Sequence, residues 1–468
     1  MNDSSSARIV ADLERWVASA APGAQLPSTR TLVDRYGVSP VTVQKALRTL
    51  QSRGAVESRP GVGTFVRGTR LAHPTDFGWQ TAALGTPQHR LPRFSSALRT
   101  VPNDVVALHS GYPDRELLPE RLVRSAFARA ARSDAVVARP PAAGIPELQA
   151  WFAGELGATA PLGVATPSAS DVIVTPGSQG GLEAAFHALV GTGHCLLVES
   201  PTYWGAMLAA ARAGVRLVPV AGGPTGPDPD ELARAFERTG ARAFYAQPNF
   251  ANPHGAQWSP ALTERVLALV RDAGGFLIED DWAHDFGITT DAQPVAALDD
   301  SGHVVYLRSL TKSVSPSVRV AAVVARGPAR DRILAEVQAQ SMYVSGMLQA
   351  VAWDVVSQPA WRTHLRGLRQ QLRSRRDLLA AAVREHAPSA DIQATPPGGL
   401  HLWARLPDGT DLPRLARECE DRGVIVAPGD EWFPAEPTAP YLRLNYSGAN
   451  PGAFPDAARV LGDVLEDR

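Results

Sequence analysis

From residue 105 onward the chain alternates short, continuously apolar runs with stretches of helical periodicity, and this alternation narrows the possible folds more than any other feature. The runs are Asp171-Val172-Ile173-Val174, Cys195-Leu196-Leu197-Val198, Ala243-Phe244-Tyr245-Ala246, Phe276-Leu277-Ile278-Glu279 and Val304-Val305-Tyr306-Leu307. A strand that is apolar at successive positions has no face for water, so both its faces are covered. The prediction is an α/β fold with a large, mostly parallel sheet whose ligands gather at strand ends. Polar groups follow these runs: Thr175-Pro176-Gly177-Ser178-Gln179-Gly180-Gly181 before a helix from Leu182 to Leu189, then Glu199 to Tyr203, Asn252-Pro253-His254-Gly255, and Asp280. A glycine-rich turn opening a helix can hold a phosphate on its backbone amides and the Ser178 hydroxyl. Alone, such a turn is weak evidence, and a plain tight turn is the favoured reading.

Lysine usage sharpens the picture. The chain has two lysines, Lys45 and Lys312, against 44 arginines. Lys312 stands in Ser309-Leu310-Thr311-Lys312-Ser313, ahead of Arg319. A desolvated lysine can lose its proton and form an imine, whereas arginine stays protonated. An imine with pyridoxal 5'-phosphate (PLP) is the leading reading for Lys312, and an ordinary surface lysine is the alternative.

The first 70 residues differ in character. They carry a net charge of +5 while the remainder carries −6, the balance expected of a polyanion-binding head on a small-molecule domain. Ile9, Val10, Leu13, Trp16 and Val17 fall at helical spacing. Ser28 caps a second helix closed by Gly37, and Ser39 caps a third that begins at Pro40 and buries Val43, Ala46, Leu47 and Leu50. Thr42, Gln44, Lys45 and Arg48 are left facing outward. Two short strands, Ala55 to Arg59 and Thr64 to Arg67, flank Pro60-Gly61-Val62-Gly63 as a hairpin. The sum is a winged helix-turn-helix.

These residues resemble the DNA-binding domain of GntR-family regulators over about residues 8 to 68: Leu26 to Arg30, Gly37-Val38-Ser39, Thr42-Val43 and Gly61 to Val66 stand in the family's order. The resemblance implies a duplex-DNA surface of Ser28, Arg30, Ser39, Thr42, Gln44, Lys45 and Gly61, with the third helix in the major groove. Pro40 and Gln44 depart from the family's usual residues, and glutamine suits an adenine edge. The series from residue 105 to 468 resembles the PLP-dependent fold-type I aminotransferase domain, and the whole chain resembles MocR/GabR-type regulators, which fuse the two. That resemblance implies PLP as cofactor. Gly177, Ser178, Gln179, Ser309, Thr311 and Arg319 would surround its phosphate, Tyr203 would stack on the ring, Asn252 would bond the 3'-oxygen, and Asp280 would keep the ring nitrogen protonated. Lys312 would carry the imine, and Arg443, in Tyr441 to Tyr446, would bind an effector carboxylate. Trp282 stands where the family commonly has tyrosine; indole donates one hydrogen bond but shuttles no proton, so altered colour or weakened catalysis is expected.

The expected organisation is a DNA-binding domain at 1 to 68, an irregular linker at 69 to 104, and an effector domain at 105 to 468 with a smaller C-terminal α+β subdomain from about 346, containing a helix from Trp361 to Arg376 and a strand from Gly398 to Trp403. The function expected is a homodimeric regulator with little or no turnover, sensing an amine, an amino acid or PLP itself; the alternative is an active aminotransferase. Cys195 and Cys419 fit no metal or redox spacing and read as buried thiols. Asp280, Asp281, His284 and Asp285 read as a strand end and turn, and no metal is expected. Met1 to Ser6 lack a secretory pattern, and no apolar run reaches membrane-spanning length, so a cytoplasmic protein without membrane contact is expected.

Overall fold

Serine caps set the N-terminal helices. In the computed structural model, which describes residues 3–67, 95–102 and 105–467 together with residues 80, 83 and 84, α1 spans Asp3–Ser19, α2 Thr29–Tyr36 and α3 Pro40–Ser52. The Ser28 hydroxyl accepts from the Thr31 amide at 3.1 Å and the Ser39 hydroxyl from the Thr42 amide at 3.3 Å, each satisfying a donor the first helical turn leaves open. Gly37 ends α2 at φ +62°, a left-handed position that glycine adopts without strain. Strands β1 (Val56–Arg59) and β2 (Gly63–Val66) pair antiparallel from Val56↔Val66 to Arg59↔Gly63, forming the wing. Ile9, Leu13, Leu32, Val43, Leu47, Leu50, Val56 and Val66 share one buried core.

The chain divides into two units, Met1–Gln88 and His89–Arg468. Most of the stretch expected to be a linker lies outside the described residues. Its longest described stretch, 95–102, is fastened to the larger unit: Ser95 and Ser96 donate to the Glu431 carboxylate, and Arg99 pairs with Glu420. The two-residue β3 (Val106–Ala107) follows.

The main sheet has eight strands: β4 (Val172–Thr175), β5 (Cys195–Ser200), β6 (Arg216–Gly223), β7 (Gly226–Pro227), β8 (Ala243–Ala246), β9 (Phe276–Asp281), β10 (Val304–Ser309) and β11 (Ala321–Val324), in the order β4-β11-β10-β9-β8-β5-β6-β7. All five apolar runs are strands. β6, β5, β8, β9 and β10 run parallel, while β11 pairs antiparallel with both β10 and β4. Side chains alternate between faces as the pleat requires. Ile173, Tyr245, Ile278 and Val305 pack with the helices Ser178–Leu189, Trp204–Ala213 and Gly327–Ser341. Val172 and Tyr306 enter a second core, and Phe244 and Leu277 a third.

The smaller sheet joins β12 (His401–Arg405), β14 (Ala427–Pro428) and β15 (Tyr441–Asn445) in the order β12-β15-β14, and β13 (Val424–Ile425) pairs parallel with β3. The helix Gly346–Val356, past the expected start of the smaller part, places Val351, Ala352 and Val355 in the core beside β4 and β11. The next helix, Pro359–His386, is the bridge. Its Trp361 lies in that same core, and Leu368, Leu372 and Leu379 lie in the core under the smaller sheet. Cys195 and Cys419 are buried free thiols, and no helix among the described residues is long and apolar enough to cross a membrane.

Two helical glycines give opposite expectations. A Cβ on Gly462 would collide with the His386 carbonyl, whereas one on the exposed Gly154 meets nothing within 4 Å. Gly462→Ala should cost roughly 1–3 kcal/mol through overpacking, while Gly154→Ala should add roughly 0.5–1 kcal/mol. Urea denaturation of the two variants checks both signs.

Candidate functional site

The loop between β10 and β11 carries Lys312. Because those strands form an antiparallel pair, with the Leu310 amide bonded to the Val320 carbonyl at 3.0 Å, the loop is anchored at both ends. Lys312 is half-buried and shares a cavity with Tyr112, Ser178, Gln179, Tyr203, Gln247, Asp280, Trp282, Ser309, Thr311 and Arg319. Eight of the residues singled out in the sequence therefore meet Lys312, drawn from four strand ends and the loop.

Asp280 forms the floor. It is fully buried, and its Oδ2 accepts from the Tyr245 hydroxyl and the Gln247 amide, both at 2.8 Å. Among the described residues its Oδ1 has no hydrogen-bond partner. Burial raises its pKa, against the two hydrogen bonds and the nearby Lys312, which lower it. Asp281 points to the opposite face, where it accepts from the Tyr306 hydroxyl and contacts His284, each at 2.7 Å; Asp285 pairs with Arg308 at 3.0 Å. The acidic run is thus split by the pleat into separate bonding sets.

At the other end of the cavity, the helix Ser178–Leu189 starts with its N-terminus open, since Gly177 supplies no capping side chain. Gly177 stands at φ +85°, and a Cβ there would come within 2.8 Å of the Arg319 guanidinium. Arg319 itself holds a left-handed φ of +50° and donates to the Pro176 carbonyl at 3.3 Å. The helix N-terminus, the Ser178 hydroxyl, the unpartnered Thr311 hydroxyl and Arg319 together make an anion cradle. Gln179 is tied to the Gly205 carbonyl at 2.7 Å. Gly205 leaves room for the Tyr203 ring, with which a Cβ would clash.

Arg443 lies beside this cavity on β15 and is 1% exposed. It donates to Asn252 Oδ1 at 3.2 Å and to the His109 and Ser110 carbonyls at 2.7 and 3.2 Å, and it stacks on Trp432 at 4.5 Å. Among the described residues no carboxylate is in ion-pair contact with it, and burial brings its pKa down to about 9. The Asn252 amide, with its oxygen committed to Arg443, is left to donate. Trp282 Nε1 donates to the Phe250 carbonyl at 3.2 Å, so the indole N–H is spent on backbone.

Sequence reasoning missed Tyr112, Tyr245, Gln247 and His401. Tyr245 is two residues before Gln247 along the same chain direction, so strand alternation could have paired them; nothing local marks Tyr112 or His401. In the N-terminal unit Arg30, Gln44 and Lys45 are exposed, Thr42 is half-buried, and Gly61 turns the wing at φ +74°. The Ser28 and Ser39 hydroxyls are committed to caps and to the Thr31 and Thr42 hydroxyls.

Burial brings the pKa of Lys312 down to about 7, helped by Arg443 and opposed by Asp280. The neutral amine is the nucleophile, so reactivity is lost as pH falls through that value. Capture of PLP by the cofactor-free protein should reach half its maximal rate near pH 7, which stopped-flow absorbance checks; an ordinary lysine would need a pH near about 10.

Residues 103–461 match the family "Aminotransferase class I and II", and residues 5–66 match "Bacterial regulatory proteins, gntR family". The probable rhizopine catabolism regulatory protein MocR of Rhizobium meliloti is 29% identical over 91% of this chain and 86% of its own length. The uncharacterized HTH-type transcriptional regulator YdfD of Bacillus subtilis is 24% identical over 92% of this chain and 89% of its own. Among solved structures, the α-aminoadipate aminotransferase LysN of Thermus thermophilus, complexed with N-(5'-phosphopyridoxyl)-L-leucine, superimposes with a TM-score of 0.72 at 26% identity, covering 78% of this chain and 93% of that one. Class I and II aminotransferases are PLP-dependent, and the half-satisfied Asp280, the anion cradle and the desolvated Lys312 fit that cofactor's ring nitrogen, phosphate and carbonyl carbon. The chain belongs to the class I and II aminotransferase family and carries, ahead of that fold, the winged helix of the gntR family of bacterial regulators.

Proposed function

We propose that this protein is a cytoplasmic, homodimeric transcriptional regulator whose affinity for an operator is set by what occupies the Lys312 site: PLP alone, or PLP joined to an amine or amino acid. One observation carries the reading. A helix presenting exposed Gln44, Lys45 and Arg48 stands on the same chain as a cavity that gathers Lys312 and an Asp280 oxygen without a hydrogen-bond partner among the described residues, with the buried Arg443 beside it. PLP, when bound, supplies an electrophilic carbon to Lys312 and an electron sink in its ring. Asp280 holds the proton at the ring nitrogen with Oδ1, its other oxygen being fixed by Tyr245 and Gln247. Gly177, Ser178, Gln179, Ser309, Thr311 and Arg319 hold the phosphate, and Tyr203 covers the ring. Asn252 donates to the 3'-oxygen. Arg443 offers its charge to a ligand carboxylate. Residues 1 to 68 form the DNA-binding head, with Ser28 and Ser39 shaping the helices and Arg30, Thr42, Gln44, Lys45 and Gly61 at the duplex.

The second reading, an active aminotransferase, is favoured by the match to LysN and to the 2-aminoadipate transaminase of Thermus thermophilus, 27% identical over 77% of this chain and 90% of that protein. Against turnover stands Trp282, whose only polar hydrogen is bonded to Phe250. Steady formation of a keto acid from any amino acid would establish the aminotransferase reading.

Lys312→Arg keeps the charge and cannot form the imine; it should lose the visible chromophore that borohydride reduces in the wild type, and a reducible chromophore in the variant rejects the assignment. Gln44→Ala should weaken binding to the protein's own promoter by roughly 1–3 kcal/mol at one base pair. Lys45→Ala should instead lower the salt slope by about 1 with little effect on sequence preference. Fluorescence anisotropy across salt concentrations separates the two.

A further inference from the structure

Trp282 directly follows β9, the strand that carries Asp280, and turns its ring face to Lys312. The Nζ nitrogen lies 4.1 Å from the indole centroid, and the Tyr112 ring faces the same nitrogen at 5.8 Å. The indole is held in place: its N–H is bonded to the Phe250 carbonyl, and His401 stacks on it with centroids 5.7 Å apart and planes 27° apart. The charged and titratable groups around Lys312 are Asp280 on β9, Arg319 on the same loop as Lys312, Arg443 on β15, Tyr112 after β3, Tyr203 after β5, and His401 on β12. Burial keeps His401 neutral. Among the described residues none of the carboxylates is in ion-pair contact with Lys312; Asp280 acts on it from farther away, and Arg443 opposes protonation. The nearest favourable partner for a charged Nζ is therefore an aromatic face.

An aromatic face attracts an ammonium through the ring quadrupole, most strongly for indole and most when water is excluded. It has no such preference for a neutral nitrogen. We propose that Trp282, with Tyr112, is a positioning residue that holds the free ammonium of Lys312 and so favours the ligand-bound state of the sensor. The inference rests on the reading that Lys312 carries PLP. When an amine ligand replaces Lys312, a bond forms between the ligand nitrogen and the cofactor's carbonyl carbon, and the bond from that carbon to Nζ breaks. The proton lost by the ligand's ammonium ends on Nζ. Nothing is oxidised, and no water is consumed overall. The exchange thus creates the cation that the indole face stabilises, and it leaves Lys312 parked as a cation instead of a free base.

The test compares wild type, Trp282→Phe and Trp282→Leu. Both variants lose the N–H bond to Phe250, so the difference between them isolates the ring face. In cofactor-free protein, the pH midpoint for PLP capture should fall below that of the wild type by about half a unit to one and a half units in Trp282→Leu, and by less in Trp282→Phe. In PLP-loaded protein, the concentration of n-propylamine needed for half-conversion of the visible spectrum should rise roughly two- to thirty-fold in Trp282→Leu, with partial recovery in Trp282→Phe. If Trp282→Leu does not fold, Trp282→Phe against wild type decides by the same midpoint. Coincident midpoints in proteins that capture PLP overturn the role of Trp282 alone. A wild type that captures no PLP overturns the cofactor reading and this inference with it.

Discussion

A carboxylate satisfied on one side only organises the larger unit. Asp280 sits near the end of β9 with no exposure and, among the described residues, two donors on one oxygen and none on the other. Burying an ionised carboxylate without full compensation is costly, and a fold keeps such a group only where something else completes it. Tyr245 and Gln247, from the end of β8, aim the open oxygen into the cavity. Arg443 repeats the pattern with opposite sign, as a buried guanidinium whose partners are neutral oxygens and the Trp432 ring. The parallel sheet makes this possible because its strands end together, each delivering one group to a common edge.

That geometry divides what was legible in the sequence from what was not. The strands were legible because each is apolar through its length, and the winged helix because its serine caps, glycines and buried face fall in order. Lys312 stood out because the chain otherwise uses arginine. Tyr112, Tyr245, Gln247 and His401 were not legible, since each reaches the site through pairings between distant segments that leave no local trace. The reversed β11 was equally hidden: its apolar run looks like the others, and only its hydrogen bonds to β10 and β4 reveal its direction. The smaller sheet's core begins inside a 28-residue helix, where no turn or proline marks the change from one core to the other. Residues 95–102 carry the polar, broken pattern of a linker, yet Glu431 and Glu420 hold them to the larger unit.

The predicted DNA contacts differ in what their side chains already bond. Ser28 and Ser39 use their hydroxyls as helix caps and so fix where α2 and α3 begin. Arg30, Gln44 and Lys45 are exposed. In the larger unit Trp282 plays a comparable double part. Its N–H serves the backbone, and its ring serves the lysine.

The central claim is that occupancy of the Lys312 site and occupancy of the DNA-binding head are energetically linked. Linkage is reciprocal and, where it exists, amounts to about 1–3 kcal/mol. The most direct measurement is the affinity for promoter DNA of the cofactor-free protein, the PLP-loaded protein, and the PLP-loaded protein saturated with each of a panel of amines and amino acids. The account predicts that at least one of these states differs from the others by roughly five- to 150-fold. Equal affinities throughout, across a panel that visibly alters the bound chromophore, would contradict it.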